Sequence, residues 1–262
     1  MVPTDPYAAP KTHVADVPEV RLDGNFVPGG LNRPAGHGWD WIKSARALTK
    51  QQTWTWMGIF IVFAIVGGML SALPILGPLA LYFVMPLLFG GVMLGCDAAY
   101  KGQPVTIGHL FAGFSSHLGK LAGIGLATIL SYLAIFLVLA VIFGAGAALI
   151  LSGMDRADMS DPAAAIGILL ALLVLMALSV PIYMAIWFSY ALVTINDYDV
   201  VPALKASFHG CMKNVVPFLI YGVMMFLLAI AASIPLMLGW LILGPVMFAS
   251  LYTGYRDIFY ET

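Results

Sequence analysis

The chain has 262 residues, of which 61% are hydrophobic and only 10% carry a charge. Soluble domains hold about 45–50% apolar and about 25% charged residues, so this composition excludes an ordinary soluble fold. It also excludes a disordered chain, which needs low hydrophobicity and high charge. The formal net charge of −1 makes nucleic acid an unsuitable partner, because binding to nucleic acid requires a positive surface. We therefore predict an integral membrane protein.

The N-terminal segment differs in composition from the rest of the chain. Residues 1–37 are rich in proline and glycine and hold no apolar run of the length that a signal peptide needs. Such a composition is typical of a segment without a packed core. We predict a disordered cytosolic arm over residues 1–37 and a single membrane domain over residues 38–262. Two interpretations of the arm stay open, a solvated leader and a partner-binding tail.

Six apolar segments follow the arm, each near or above the about 20 residues that a helix needs to cross the hydrocarbon core. Because backbone polar groups cannot stay unpaired in lipid, these segments must be helices. The predicted spans are residues 54–73, 79–98, 121–151, 163–195, 215–234 and 236–255. The third and fourth exceed the thickness of the core, so we expect them to tilt, project or kink, with Pro181 as the predicted kink.

The basic residues set the predicted orientation. Two lie between spans two and three, two between spans four and five, six before the first span and one after the last. The exception, Arg156, lies among three aspartates in the loop after span three. Because cytoplasmic loops carry the excess of Lys and Arg, we predict that both termini are cytoplasmic.

Each pair of spans follows a stretch in which apolar residues recur at helical spacing. The pattern is weaker in residues 41–48 and clearer in two later stretches, with the apolar faces Ile107, Leu110, Phe111, Phe114, Leu118 and Val201, Leu204, Phe208, Cys211, Val215. We therefore predict an all-α, polytopic six-helix transmembrane bundle built from three helical hairpins, each preceded by a cytoplasmic amphipathic interfacial helix. The interfacial basic residues, expected to face anionic lipid headgroups, are Lys43, Arg46, Lys50, Lys120, Lys205 and Lys213.

Small residues recur in the second and sixth predicted spans. The first pattern begins at Pro86 and the second at Pro245, and both contain a phenylalanine followed by two small residues four positions apart. Small residues at this spacing let helix backbones approach closely in membranes. We assign helix packing to Gly91, Gly95, Ser250 and Gly254.

Candidate catalytic and metal-binding residues are sparse. The chain contains no recognisable catalytic motif, so we predict no enzyme activity, no catalytic residue and no cofactor. His109, His209, Cys96 and Cys211 are of the types that bind zinc, yet no ligand spacing recurs. We interpret them as interfacial histidines and small buried thiols, and predict no metal. Spans one, three and five carry no Asp, Glu, Lys, Arg or His in their interior, which disfavours an ion-driven pump.

Aromatic and hydroxyl residues have two predicted roles. Those near span ends are expected to form the aromatic belt at the membrane surface, namely Trp54, Trp56, Trp240, Tyr82, Tyr100, Tyr190, Tyr252 and Tyr255. Ser131, Tyr132, Ser179 and Tyr183 lie deeper in the central pair. We expect these four either to hydrogen-bond between helices or to line a groove.

Several features together resemble a family of uncharacterised six-span proteobacterial inner-membrane proteins. They are the Gly-Trp-Asp-Trp-Ile segment at 38–42, the proline-flanked turn at 74–78, and the helices around Phe114 and Phe208. The resemblance covers residues 38–258. It implies a six-helix fold in the inner membrane and no established activity. The chain is similar, more loosely, to the membrane domain that precedes some bacterial glycerophosphodiesterases.

Two hypotheses of function stay open. The favoured one is a non-enzymatic interaction or accessory protein of a membrane complex in the bacterial inner membrane, with a membrane-protein partner or a homo-oligomer. The alternative is a transporter or lipid-handling membrane protein. In both, membrane lipids are partners of the chain.

Overall fold

The structure, a computed structural model, describes residues 24–143 and 162–261. Most of these residues are helical, and a 3₁₀ turn, Ile107–Phe111, precedes the fourth helix. In chain order the helices are α1 His37–Lys50, α2 Thr53–Ser71, α3 Leu76–Tyr100, α4 Ala112–Ser116, α5 Leu118–Phe143, α6 Pro162–Trp187, α7 Ser189–Asn196, α8 Val200–Lys213, α9 Val215–Ser233 and α10 Trp240–Phe259.

Five helical segments of the described chain are long and apolar enough to cross a membrane. They are Thr53–Ser71, Leu76–Tyr100, Leu118–Val141, Ile166–Asn196 and Val215–Ser233. The prediction of an all-α, multi-pass membrane protein is therefore confirmed. The helix α10 overlaps the sixth predicted span but is not among the five, because polar residues such as Arg256 and Asp257 occupy its C-terminal half.

The two long predicted spans differ from expectation in their boundaries. The third is helical to Phe143, and its remaining residues, 144–151, lie outside the described residues. The fourth divides into α6 and α7 at Phe188, whereas Pro181 lies inside α6 without ending it.

A side chain from α8 causes the break at Phe188. The backbone N–H of Phe188 donates to the Ser207 hydroxyl at 2.9 Å, and that hydroxyl donates to the carbonyl oxygen of Met184 at 2.7 Å. In a regular helix the N–H of Phe188 would donate directly to the carbonyl of Met184. The Ser207 hydroxyl replaces that hydrogen bond by bridging the two groups. Insertion of a side chain into the helical ladder is a known cause of helix kinks.

The amphipathic segments differ in how far they bury the predicted apolar face: Leu110 of the second segment is buried, whereas Ile107 and Phe111 are 45% and 43% exposed. In α1, Trp41 is buried and its ring packs edge-on against Phe218 of α9 at a centroid distance of 5.1 Å. In α8 the buried face consists of small residues such as Ala203 and Gly210, whereas Val201 of the predicted face is 58% exposed. The helix α1 therefore packs on the bundle through its predicted apolar face, whereas α8 packs through small residues and leaves Val201 of its predicted apolar face exposed.

The hydrophobic core lies toward the end of the bundle that carries the described Lys and Arg residues, here called the basic end. The helix α10 is its centre, with Tyr252, Tyr255 and Phe259 completely buried. It packs against α1, α2, α3 and α9. At the opposite end the described helices are largely exposed, with only 6–17% of the residues buried in four of the five apolar segments.

Part of the predicted disordered arm is ordered. The N–H of Val27 donates to the carbonyl oxygen of Phe259 at 2.8 Å, and that of Leu31 donates to the carbonyl oxygen of Ile258 at 2.7 Å. Residues 24–36 thus follow the C-terminal end of α10. The remainder of the predicted arm, residues 1–23, lies outside the described residues.

Candidate functional site

A cavity of about 600 Å³ lies between α3, α5, α6, α7 and α10. Its walls consist mainly of apolar and aromatic side chains, including Met85, Phe89, Trp187, Phe248 and Leu251. Ligand-binding cavities of proteins span about 300–1,000 Å³ and have predominantly hydrophobic walls. The cavity is therefore of a size and polarity that suit an apolar ligand.

Aromatic rings close the cavity toward the basic end. The ring of Phe89 stacks on that of Tyr190, with centroids 5.3 Å apart and planes 10° from parallel. Phe248 meets Phe89 edge-on at a centroid distance of 5.7 Å. Offset-stacked and edge-on pairs of this kind are favourable geometries, so these contacts stabilise this wall.

A glycine sets the wall formed by α3 and α5. A Cβ atom at Gly125 would collide with the backbone carbonyl of Tyr82, so the two helices touch at backbone level here. This crossing brings Thr128, one turn further along α5, and Tyr132 to the same cavity as Tyr82.

Hydroxyl groups gather at the end of the cavity away from the basic end. The Tyr132 hydroxyl interacts with the hydroxyls of Tyr183 and Ser179, which links α5 to α6. The serines also bond within their own helices: Ser131 donates to the carbonyl of Ala127 at 2.8 Å, and Ser179 to that of Leu175 at 2.7 Å. Tyr132 and Tyr183 line the cavity.

The two glycines assigned to packing in α3 face the segment before α5. A Cβ atom at Gly91 would lie 2.5 Å from the carbonyl oxygen of His109 and would also collide with that of Leu110. The corresponding position at Gly95 lies 3.4 Å from the Cβ of His109 and 3.7 Å from the ring of Trp56. Gly91 therefore permits a contact that any larger residue would prevent.

The two residues assigned to packing in α10 face α1 and α9. The hydroxyls of Ser250 and Tyr221 share a buried hydrogen bond of 2.7 Å. A Cβ atom at Gly254 would lie 3.4 Å from the Trp41 ring and 3.6 Å from that of Phe188. These residues place α10 close to its neighbours within this chain.

The six basic residues assigned to the interface divide into two groups. Three make contacts: Lys43 pairs with Asp40 at 2.6 Å, Lys120 pairs with Asp197 at 2.8 Å, and Lys213 Nζ donates to the carbonyl oxygen of Gly29 at 2.8 Å. The other three are exposed, namely Arg46, Lys50 and Lys205. The hydrogen bond and the charge of Lys120 lower the pKa of Asp197.

A polar cluster at Asp257 ties the described part of the arm to α10. Its carboxylate accepts hydrogen bonds from Trp41 Nε1 at 2.7 Å and contacts His37 Nδ1 at 2.9 Å. Arg33 Nε lies 3.2 Å from the same carboxylate and donates to the carbonyl oxygen of Asp257 at 2.7 Å. The sequence did not predict this cluster, because Arg33 was considered only as one of the six basic residues before the first span.

Asn214, between α8 and α9, forms the second attachment of the arm. Its buried side-chain amide donates to the carbonyl oxygens of Leu31 and Gly210, both at 2.8 Å. Its side-chain oxygen accepts from the backbone N–H of Arg33 at 2.8 Å. A polar asparagine at the start of an apolar span is a sequence signal for such a role, because buried amides need hydrogen-bond partners.

Several aromatic residues assigned to the membrane belt are buried instead. The Tyr252 hydroxyl donates to Asp97 Oδ1 at 3.0 Å, and the Tyr255 hydroxyl donates to Asn196 Oδ1. Trp56 is also buried, whereas Trp54 is 84% exposed, as a belt residue would be. The belt prediction was wrong for Tyr252, Tyr255 and Trp56, because α10 and α2 turn these side chains toward the core.

The four residues considered for zinc are His109, His209, Cys96 and Cys211. In the described residues no group of three or more His, Cys, Asp or Glu could hold a metal ion. His109 Nδ1 is engaged by Thr106, and His209 Nδ1 donates to the carbonyl oxygen of Lys205. Both cysteines are buried, and burial raises the pKa of Cys211 to about 12.

The chain is similar to a protein of Burkholderia thailandensis that is named a probable inner membrane protein. The two are 24% identical over 244 residues, which cover 85% of this chain and 90% of the relative. No family model and no solved structure matches the chain. The resemblance to inner-membrane proteins is confirmed, and nothing in these comparisons links the chain to a glycerophosphodiesterase.

Proposed function

We propose that the chain is a six-span protein of the bacterial inner membrane, with α10 as the sixth span. The helix α9 leaves the basic end at Asn214, and the C-terminal end of α10 contacts residues 27–33 and α1 at that same end. The helix α10 therefore returns toward the side from which α9 started. The name of the Burkholderia relative supports the inner membrane as the location.

The two short turns, α2–α3 and α9–α10, support two hairpins of the proposed three-hairpin layout, and the residues that join α5 to α6 lie outside the described part of the chain. Ile75 and Leu236 at these turns are 88% and 89% exposed, and both turns are apolar. Several of their amides bond carbonyls within the same turn, including Gly77 to Leu73 at 3.0 Å. Internal pairing of backbone groups is what a lipid environment requires.

The proposed role is that of a non-enzymatic interaction or accessory protein, with a membrane-protein partner or a second copy of this chain. One observation carries it: four of the five membrane-spanning segments bury only 6–17% of their residues within the chain. Lipid gives helices no hydrophobic drive to associate, so stable spans usually gain contacts from neighbouring helices. The free faces of α2, α5, α6 and α9 are therefore available to another protein.

Photo-cross-linking in native membranes tests this role. Benzoylphenylalanine at Phe226, which α9 exposes, should yield a discrete protein adduct, either a dimer of this chain or a single partner. The matched control is the same replacement at Phe248, which is buried and should yield no adduct between proteins. Lipid adducts alone at Phe226, together with a monomeric mass in lipid nanodiscs, would exclude the interaction role.

A further inference from the structure

We propose that the cavity between α3, α5, α6, α7 and α10 binds the ring of a lipid-soluble quinone, an uncharged molecule with two carbonyl oxygens. This inference goes beyond the interaction role and does not depend on it. It rests on three properties of the cavity lining: hydrogen-bond donors without an acceptor, aromatic walls without charge, and an opening on the side of the helical bundle.

Two tyrosine hydroxyls and one indole group of the lining have no hydrogen-bond partner in the described part of the chain. The hydroxyls belong to Tyr82 and Tyr190, and the indole N–H belongs to Trp187. In contrast, the Tyr132 hydroxyl interacts with that of Tyr183. A polar group that leaves water without gaining a partner is unfavourable, and an indole N–H can only donate. The lining therefore favours a ligand that supplies hydrogen-bond acceptors.

The walls of the cavity favour a flat and uncharged ligand. Phe89 stacks on Tyr190, and Phe248 meets Phe89 edge-on, so a further ring can pack against these residues by the same two geometries. None of the described lining residues carries a formal charge. An ionised group would therefore be buried without a counter-charge, which is very unfavourable. A quinone ring meets both conditions, because it is planar and neutral.

The cavity opens between helices on the side of the bundle. Tyr82 and Tyr183 of its lining are 38% and 58% exposed, and they lie in the membrane-spanning segments Leu76–Tyr100 and Ile166–Asn196. A ligand therefore reaches the cavity from the bilayer. The volume of about 600 Å³ lies in the range of known ligand cavities, and the hydrocarbon tail of a quinone can extend through the opening into lipid.

The positions of the two free hydroxyls distinguish a quinone from other neutral lipids. Tyr82 belongs to α3 and Tyr190 to α7, so two donors line the cavity from different helices. A quinone carries one carbonyl oxygen at each end of its ring and can accept a hydrogen bond at both. A diacylglycerol also has carbonyl oxygens, but it has no ring to pack against the aromatic walls.

Removal of the two free hydroxyls tests the inference in the full-length protein. Purified protein in detergent is titrated with decylubiquinone, and bound quinone is counted by native mass spectrometry. Tyr190→Phe and Tyr82→Phe should each weaken binding by about threefold to tenfold. Their melting temperatures should stay nearly unchanged, because neither hydroxyl has a hydrogen bond within the described chain to lose. The matched control, Tyr221→Phe, removes a buried hydrogen bond to Ser250 outside the lining, so it should lower the melting temperature and leave quinone affinity unchanged.

A filled-cavity variant and two comparison ligands complete the test. Thr128→Trp places a large ring in the cavity and should weaken quinone binding by at least about tenfold, whereas Leu130→Trp, exposed on the same helix and outside the lining, should not. Dodecylbenzene has a ring and a tail but no carbonyl, and dioleoylglycerol has carbonyls but no ring, so both should bind more weakly than the quinone. Unchanged quinone affinity in both phenylalanine variants, or tighter binding of either comparison ligand, would overturn the inference.

Discussion

The attachment of the arm at Asn214 gives the sharpest prediction for stability. The substitution Asn214→Ala removes three hydrogen bonds, to the backbone of Leu31, Gly210 and Arg33. The bonds to Leu31 and Arg33 hold residues 24–36, and each contributes about 0.5–1.5 kcal/mol net, so the attachment of this segment should weaken by about 1–3 kcal/mol. Because 1.4 kcal/mol corresponds to a factor of ten, the detached state should become at least roughly fivefold more populated.

Hydrogen exchange measures this detachment directly. The amides of Val27 and Leu31 bond carbonyls of α10, so their peptide should exchange at least roughly fivefold faster in Asn214→Ala. The control is Asn25→Ala, which makes the same chemical change at an exposed position of the same segment. Equal exchange in Asn214→Ala and Asn25→Ala would refute the reasoning, because the buried amide would then hold nothing in place.

Three further predictions concern packing, thiol chemistry and pH. Gly91→Ala should lower the melting temperature, since its methyl group collides with backbone carbonyls at a cost of about 1–3 kcal/mol, whereas Gly68→Ala, with nothing nearby, should not. Cys211 should resist maleimide at pH 8 until the protein is unfolded, because it is buried and its pKa is raised to about 12; rapid labelling of the native protein would contradict this. Asp197→Asn should lower the melting temperature slightly at pH 7, and the difference from wild type should shrink as the pH falls below the ordinary pKa of an aspartate. Lys120 lowers the folded pKa of Asp197, so its contribution is complete above the ordinary pKa and is lost as the pH falls through the lowered value.

The positions of the membrane helices could be predicted from the sequence, because the length of an apolar segment is a local property. Thr53–Ser71 and Val215–Ser233 lie within a few residues of the predicted spans 54–73 and 215–234. The same holds for Leu76–Tyr100 at its C-terminal end, where the first charge follows the apolar run. The bilayer imposes these boundaries, so no knowledge of tertiary contacts is needed.

Features that depend on distant contacts could not be predicted. The break of the fourth span at Phe188 requires the hydroxyl of Ser207, nineteen positions away, whereas Pro181 offered the only local signal for a kink. The order of residues 24–36 likewise depends on Asn214 and Asp257. A composition rich in glycine and proline says nothing about whether a partner surface elsewhere in the chain will hold the segment.

The cavity could be predicted from the sequence only in part. The sequence marked Tyr132 and Tyr183 as polar groups deep in the central pair, with groove lining as one of two roles. Their cavity also needs walls from α3 and α10, including Phe89 and Phe248, which the apolar pattern could not distinguish from lipid-facing residues. The arrangement of the other helices around α5 and α6 therefore could not be predicted from the sequence and is known only from the structure.

The central claim is that six spans cross the membrane with the basic end in the cytoplasm. Single cysteines at Asn25, Gln103 and Glu261, all exposed at that end, can be probed with a maleimide that does not cross membranes. The account predicts that all three react in inverted vesicles and none reacts in intact spheroplasts. Reaction of Glu261→Cys in intact spheroplasts, while Asn25→Cys and Gln103→Cys stay protected, would mean an odd number of spans and would contradict the account.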